Sequence, residues 1–287
     1  MKRTIAFLLG LSSFCTPVLA QTDLPTQLDS CNVTWNEPGP GATESMPIGN
    51  GDIGLNVWVE KNGDLVFYIA KTDAWGAETR PEWDQWMKTG GVLMKLGAVR
   101  IAQTPSPLTT ETPFAQTLRL HQGEILIKEG SSTLRIWVDA NHPVIRIEAD
   151  NPNATLKVSL DNWRLGQDGD TVLPAQGNNI TWYHQNAATA DPHLAGRIFG
   201  AGIVAGKKLI SIYPLTTTDA TPATWRTRLK QQIASIERLP LEQTRAAHRA
   251  WWDRFWHRSW IFVHGDEQVR ATTNGYVLQR YITACAG

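Results

Sequence analysis

The sequence has few cysteines and no surplus of basic residues. It contains three cysteines, and Cys31 and Cys285 are the two that follow the leader-like first twenty residues. The sequence allows either a disulfide between them or a pair of buried free thiols. No Cys or His pair has zinc-site spacing. Lysine plus arginine and aspartate plus glutamate each number 27, without a basic run. The sequence therefore predicts no metal site and no nucleic-acid partner.

Long apolar runs and nucleophile motifs are also missing. No apolar stretch after residue 20 is long enough to span a bilayer, so we predict no membrane partner. The chain has no Gly-x-Ser-x-Gly motif, and no serine or cysteine nucleophile is recognisable beside a base. We therefore predict no cofactor and identify no catalytic residue.

The first twenty residues resemble a secretory leader. Lys2 and Arg3 precede an apolar run from Ile5 to Leu11, and Val18-Leu19-Ala20 fits a signal-peptidase site. The alternative is a short membrane anchor, but the run is too short to cross a bilayer. We predict a signal peptide over 1–20 and a secreted product, periplasmic or extracellular, of a bacterium.

The stretch PIGNGDIGLN raises the question of a dinucleotide site, because Gly49, Gly51 and Gly54 have Gly-x-Gly-x-x-Gly spacing. That fingerprint requires a strand before it and a helix after it. Here Pro and Gly precede the string, and a hairpin around Asn62-Gly63 follows it. We therefore expect the glycines to provide a tight backbone path into an inner strand.

The order of hydrophobic patterns predicts the fold. From Val33 to about Tyr213, roughly a dozen short alternating segments are separated by turn sequences, which indicates a large antiparallel β-sandwich. Helical spacing begins after Thr221-Pro222, continues beyond Pro240, and starts again near Asp266. The predicted domains are a signal peptide (1–20), a β-sandwich domain (21–215), a helical linker (216–264) and a further helix (265–287).

Tryptophan is abundant, with 13 residues in the chain. Flat indole faces can stack on sugar rings, whereas the simpler role of Trp is packing. The loop DAWGAETRPEWDQWMKTGG carries Trp75, Trp83 and Trp86, for which we weigh ligand contact or a domain interface against local packing. The tryptophans in or beside predicted strands are expected to be core residues: Trp58, Trp137, Trp163 and Trp182. Those of the helical region are expected to pack the helices on the sandwich: Trp251, Trp252, Trp256 and Trp260.

Acidic and histidine side chains give weaker signals. A glycosidase needs two carboxyl groups across one bond. The candidates are Asp52 in the glycine string and three carboxylates in the Trp-rich loop, although solvated loop carboxylates are commoner: Glu78, Glu82 and Asp84. His248 and His257 are nine residues apart, and we expect helical packing rather than metal binding.

Two stretches together resemble a known family. MPIGNGDIG, a hairpin and AKTDAWG resemble the start of family-95 glycoside hydrolases, with Asp73, Trp75 and Gly76 at matching positions. Lys71-Thr72 replaces the Asn-Glu pair of those α-L-fucosidases, which argues against a fucose substrate. HRAWWDRFWHRSWIFV and GYVLQRYITACAG are similar to the helical linker and first barrel helix of that architecture. The chain as a whole resembles the bacterial group catalogued as domain of unknown function 5703.

The resemblance implies a β-supersandwich, an α-helical linker and the truncated start of an (α/α)6 barrel. Because the family's catalytic groups lie in the barrel, no catalytic residue is carried over. The expected function is the N-terminal non-catalytic domain of a secreted glycoside hydrolase, inactive alone, with carbohydrate and the missing C-terminal barrel as partners. The candidate substrate-binding residues are Asp73, Trp75, Trp83 and Trp86. The alternatives are a stand-alone carbohydrate-binding periplasmic sandwich and a sandwich that binds a protein partner.

Overall fold

The structure is a computed structural model of the chain. It describes residues 23–77, 91–106, 113–130, 132–164, 169–187, 193–218 and 220–286. The predicted signal peptide (1–20), Trp83 and Trp86, and with them the loop carboxylates Glu78, Glu82 and Asp84, lie outside the described residues.

Two antiparallel sheets form the body of the described chain, which confirms the predicted β-sandwich. The nine-stranded sheet has the order β1-β6-β7-β8-β9-β14-β13-β12-β11, and the five-stranded sheet has the order β10-β5-β4-β3-β2. The strands are β1 Val33–Trp35, β2 Met46–Gly49, β3 Ile53–Val59, β4 Leu65–Gly76, β5 Val92–Thr104, β6 Phe114–Arg119, β7 Glu124–Glu129, β8 Ser132–Val138, β9 Ile145–Ala149, β10 Thr155–Leu160, β11 Thr171–Val172, β12 Ile180–Gln185, β13 Ile198–Ala205 and β14 Leu209–Thr217. The helices are α1 Leu24–Asp29, α2 Pro222–Glu237, α3 Leu241–His257 and α4 Glu267–Ala286, with a 3-10 turn at Ala42–Glu44.

Alternation along the strands produces the core between the sheets. In β3, Leu55, Val57 and Val59 are buried and face the core. The connection from β3 to β4 is the predicted turn: Gly63 has a φ of 86°, and Asn62 Oδ1 accepts a hydrogen bond from the amide of Asp64. The local sequence thus fixes the register of the β3–β4 hairpin.

Helices α2 and α3 lie on the nine-stranded sheet. Helix α2 begins at the predicted Thr221-Pro222, where Thr221 and Thr224 form a capping box. Trp225 of α2 is fully buried in a second, smaller apolar cluster with Tyr213 and Ile198. This cluster attaches α2 to strands β13 and β14.

Helix α3 is held by polar and aromatic contacts. His248 is buried, packs on Trp137, accepts a hydrogen bond from the Ala140 amide at Nδ1, and contacts the Gln122 carbonyl through Nε2. Trp256 donates its indole N–H to the Leu120 carbonyl at 3.0 Å. The prediction of helical packing is confirmed for His248 and is wrong for His257, whose side chain is 56% exposed.

The tryptophan predictions have a mixed outcome. Trp58, Trp137 and Trp182 are buried as predicted, and so are two of the helical set, Trp252 and Trp256. Trp260 is 40% exposed. The core prediction for Trp163 is wrong: its side chain is 55% exposed, because it lies after the end of β10 rather than within a strand.

Two further sequence questions are settled in the described residues. Cys31 and Cys285 are buried free thiols, so the disulfide alternative is wrong. None of the helices described combines the length and the apolar character needed to cross a membrane.

Candidate functional site

A large bulge in β4 creates the candidate site. Strand β4 pairs with β5 as far as Ala70, opposite Lys95, and the ladder resumes at Trp75, opposite Leu93. The four residues from Lys71 to Ala74 are therefore inserted where β5 supplies one. Bulges of this kind bend a strand and redirect its side chains. We call Asp52, Lys71, Asp73 and Trp75 the bulge surface.

A buried ammonium group organises the bulge surface. Lys71 is 8% exposed, and its Nζ lies 2.9 Å from Asp52 Oδ1 and 2.8 Å from Asp73 Oδ1. Thr72 adds a hydrogen bond from its hydroxyl to Asp52 Oδ1 at 2.8 Å. Both carboxylates are half-exposed. One side of each aspartate is fixed by Lys71, and the solvent-facing side is available to a ligand.

Trp75 presents an exposed ring whose polar end is already bonded. Its side chain is 39% exposed, while its indole N–H donates to the Thr72 carbonyl at 3.0 Å. The backbone beneath it is anchored to the other sheet. The Trp75 carbonyl accepts from Asn186 Nδ2 at 2.9 Å, and the Asp73 carbonyl accepts from Arg197 at 2.8 Å. The ring is therefore held in place with an apolar surface towards solvent.

The structure brings two of the four predicted binding residues together. Asp73 and Trp75 lie on the bulge surface, whereas Trp83 and Trp86 belong to a segment outside the described residues and stay predictions. In the sequence, Lys71 marks a departure from a family pattern, and nothing there indicates a role for Asn186 or Arg197. The two anchors lie more than 100 residues from the bulge, and no local pattern could indicate them.

The glycine string joins the bulge surface to α4. A Cβ atom on Gly49 would lie 2.6 Å from the Cys285 carbonyl oxygen, so only glycine allows this approach. The amide of Gly51, whose φ is 89°, donates to the same carbonyl at 3.1 Å. The amides of Asp52 and Ile53 donate to Asn50 Oδ1. The backbone of the glycine string thus packs closely against the last turn of α4, and the expected tight backbone path is present.

The chemistry of the bulge surface fits binding better than catalysis. Two carboxylates and an indole face are groups that bind sugar hydroxyls and ring C–H bonds, whereas glycoside hydrolysis also needs a free acid. Here both aspartates are bonded to the same ammonium group. Among the residues that the structure describes, no group of three or more His, Cys, Asp or Glu could hold a metal ion.

Comparisons with known proteins place the chain in a family. A family model described as Domain of unknown function (DUF5703), for its N-terminal part, matches residues 34–171 and 204–261. No curated protein matches the sequence. A solved structure described as "Putative kojibiose phosphorylase from human microbiome" matches with a TM-score of 0.54 and 9% identity, over 87% of this chain and 38% of that one. This likeness shows a shared fold, and the chain spans well under half the length of that protein. Because the family model covers more than half of the sequence, the chain belongs to the DUF5703 family of N-terminal domains of unknown function.

Proposed function

We propose that this chain is the N-terminal, non-catalytic β-sandwich domain of a secreted glycoside hydrolase and acts with a helical barrel domain that follows α4. The observation that carries the proposal is the close packing of the end of α4 on the glycine string. The Gly51–Cys285 hydrogen bond fixes the end of that helix next to Asp52, which belongs to the bulge surface. A domain that continues from α4 would therefore begin beside Asp73 and Trp75.

In this proposal the bulge surface lines one side of a sugar site between sandwich and barrel. The barrel supplies the acid and base, and the sandwich supplies the indole face of Trp75 and the carboxylate of Asp73. The order of a sandwich, two helices on its sheet and a third helix supports this division, as does the fold shared with part of a phosphorylase.

Exposed apolar side chains beyond α3 support a further packed domain. Trp260, Ile261 and Val263 follow α3, and Ile282 lies on α4; each is 40–54% exposed. Adjacent exposed apolar residues are typical of an interface. The barrel proposed here would cover them.

The test compares the purified chain with a product that extends into the codons downstream of residue 287. The chain alone should give no turnover with aryl glycosides, nor with disaccharides in the presence of inorganic phosphate, and should bind a hydrophobic dye. The extended product should be active and bind less dye. Turnover by the chain alone, or downstream codons without paired helices, would overturn the proposal. Secretion is tested separately: N-terminal sequencing of the exported product should give Gln21 as the first residue.

A stand-alone carbohydrate-binding protein is the second candidate, and the exposed ring of Trp75 favours it. In that case the chain alone should bind a glycan, and Trp75→Ala should remove the binding. Trp260→Ala alters another exposed Trp, remote in sequence from the bulge. An equal loss of glycan binding in this variant would count against a specific role for Trp75.

A further inference from the structure

A second exposed aromatic lies on the outer face of the five-stranded sheet. Trp163 is 55% exposed and meets the Tyr68 ring edge-on, with centroids 5.5 Å apart. Tyr68 in turn meets Trp58, which is 5% exposed, at 5.1 Å. The three rings form a row from the buried Trp58 to the solvent-facing Trp163. Edge-on contacts of this kind are favourable and orient the rings.

A buried carboxylate fixes the residues on either side of Trp163. Asp170, 5% exposed, accepts hydrogen bonds from Asn162 and Arg164, the two neighbours of Trp163 in the chain, and contacts His184 Nδ1. Burial raises the pKa of Asp170, but these hydrogen bonds and the charge of Arg164 together outweigh burial, and the net shift of the pKa is downward. Burying a carboxylate costs free energy unless it is bonded on all sides. The positions of Asn162 and Arg164, which flank Trp163, are therefore closely specified.

Further bonds tie the loop to β5. The Asp161 amide donates to the Ala98 carbonyl at 2.8 Å, and Arg164 Nη2 donates to the Lys95 carbonyl at 2.6 Å. Loops that only connect strands need no such anchoring, whereas binding residues are commonly held on rigid supports.

We propose that Trp163, Tyr68, Lys95 and Asp161, the Trp163 platform, bind an uncharged glycan. The Arg164 guanidinium lies over the Trp163 ring, 5.3 Å from its centroid, and the remaining exposed surface of the indole is offered to the C–H bonds of a sugar ring. The ammonium group of Lys95, 3.9 Å from the Tyr68 centroid, is a donor for hydroxyl groups. The half-exposed carboxylate of Asp161 is an acceptor for them. This site shares no residue with the bulge surface, although Lys95 pairs with Ala70 next to the bulge, and it does not depend on a barrel domain.

The charges around the platform favour a neutral ligand. Arg164 is paired with Asp170, and Asp161 is paired with Arg100 at 2.9 Å. The platform thus offers one positively charged donor, Lys95, and one negatively charged acceptor, Asp161, and neither sign of charge is in excess. Hydroxyl groups, which donate and accept, match this arrangement better than carboxylates or ammonium groups do.

The experiment is affinity electrophoresis of the purified chain in gels that contain dextran, galactomannan or mixed-linkage β-glucan. We expect retardation by at least one of them and a loss of about tenfold or more in affinity for Trp163→Ala, roughly 1.4 kcal/mol. Trp163→Phe should keep part of the binding, because a smaller aromatic face remains. Trp260→Ala is the matched control and should bind as the unaltered chain does. Thermal unfolding of each variant checks that the fold is intact.

Several results would overturn the platform. They are retardation by none of the three polysaccharides, unchanged binding by Trp163→Ala, or salt-sensitive binding with preference for alginate over the neutral polymers. Trp75→Ala separates this proposal from the proposed function. If only Trp75→Ala loses polysaccharide binding, the bulge surface is supported as the binding site and the platform is rejected. Loss in Trp163→Ala alone would support the platform whatever the role of the bulge surface.

Discussion

Strand β7 carries two buried glutamates with opposite surroundings. Glu129, at its end, is 2% exposed, and neither carboxyl oxygen has a hydrogen-bond partner among the described residues. Burial, with a smaller contribution from the charge of Asp64, raises the pKa of Glu129 from 4.5 to about 7. Glu124, at the start of the strand, is 1% exposed but lies within 3.3 Å of three arginines: Arg119, Arg135 and Arg249. Stability should therefore respond to pH through Glu129.

The sign and size follow from proton linkage. Between pH 4.5 and 7 the folded chain keeps the Glu129 proton while the unfolded chain loses it, so the free energy of unfolding falls as pH rises. A pKa rise from 4.5 to about 7, at about 1.4 kcal/mol per unit, gives a loss of about 3 kcal/mol that is complete above pH 7. Glu129→Gln removes this proton. Between pH 4.5 and 8, the free energy of unfolding of the variant should therefore rise by about 3 kcal/mol relative to that of the unaltered chain.

The assay is urea unfolding, followed by tryptophan fluorescence, at several pH values from 4.5 to 8. Glu124→Gln is the matched control on the same strand. It removes the carboxylate that pairs with the arginines, so it should lower the free energy of unfolding at pH 8 by about 2 kcal/mol. If Glu129→Gln and the unaltered chain change in parallel over this pH range, Glu129 is ionised in the folded state and the reasoning is refuted.

Three further predictions concern the helices and the glycine string on which α4 packs. Gly49→Ala should lower the free energy of unfolding by about 1–3 kcal/mol, because the new Cβ would approach the Cys285 carbonyl at 2.6 Å; unchanged urea midpoints would contradict this. Burial raises the pKa of the Cys285 thiol to about 12, so a thiol reagent at pH 8 should label it only in denaturant. Burial lowers the pKa of His248, so the contribution of His248 to the free energy of unfolding should decrease as pH drops below 6.5, opposite in sign to that of Glu129, and His248→Gln should remove this decrease in acid titrations.

Local chemistry made part of this fold predictable. The Asn62-Gly63 turn and the Thr221-Pro222 helix start depend on residues adjacent in sequence, and both appear where predicted. The sandwich follows from strands whose alternation is visible in the sequence. Of the bulge surface, Trp75 was a candidate from the Trp-rich loop, Asp52 was a candidate from the glycine string, and Asp73 was a candidate from a resemblance. No sequence pattern predicted the bulge in β4 itself.

Long-range pairing explains what the sequence did not reveal. The role of Lys71 depends on Asp52, brought close by the β3–β4 hairpin, and the bulge is anchored by Asn186 and Arg197 from the far side of the sandwich. The exposure of Trp163 depends on Asp170, whose hydrogen bonds to Asn162 and Arg164 fix the two residues that flank Trp163. Such contacts become visible only once the sheets are assembled.

The packing of α3 on the nine-stranded sheet has a consequence for synthesis on the ribosome. The Trp256–Leu120 and His248–Gln122 bonds join residues 136 and 126 positions apart. Strands β7 and β8 therefore emerge long before the helix that covers Trp137, and native contacts of such separation form slowly. The nascent sandwich must keep this face from aggregating while more than a hundred residues are added. Export of an unfolded chain would postpone that closure until translocation has delivered α3.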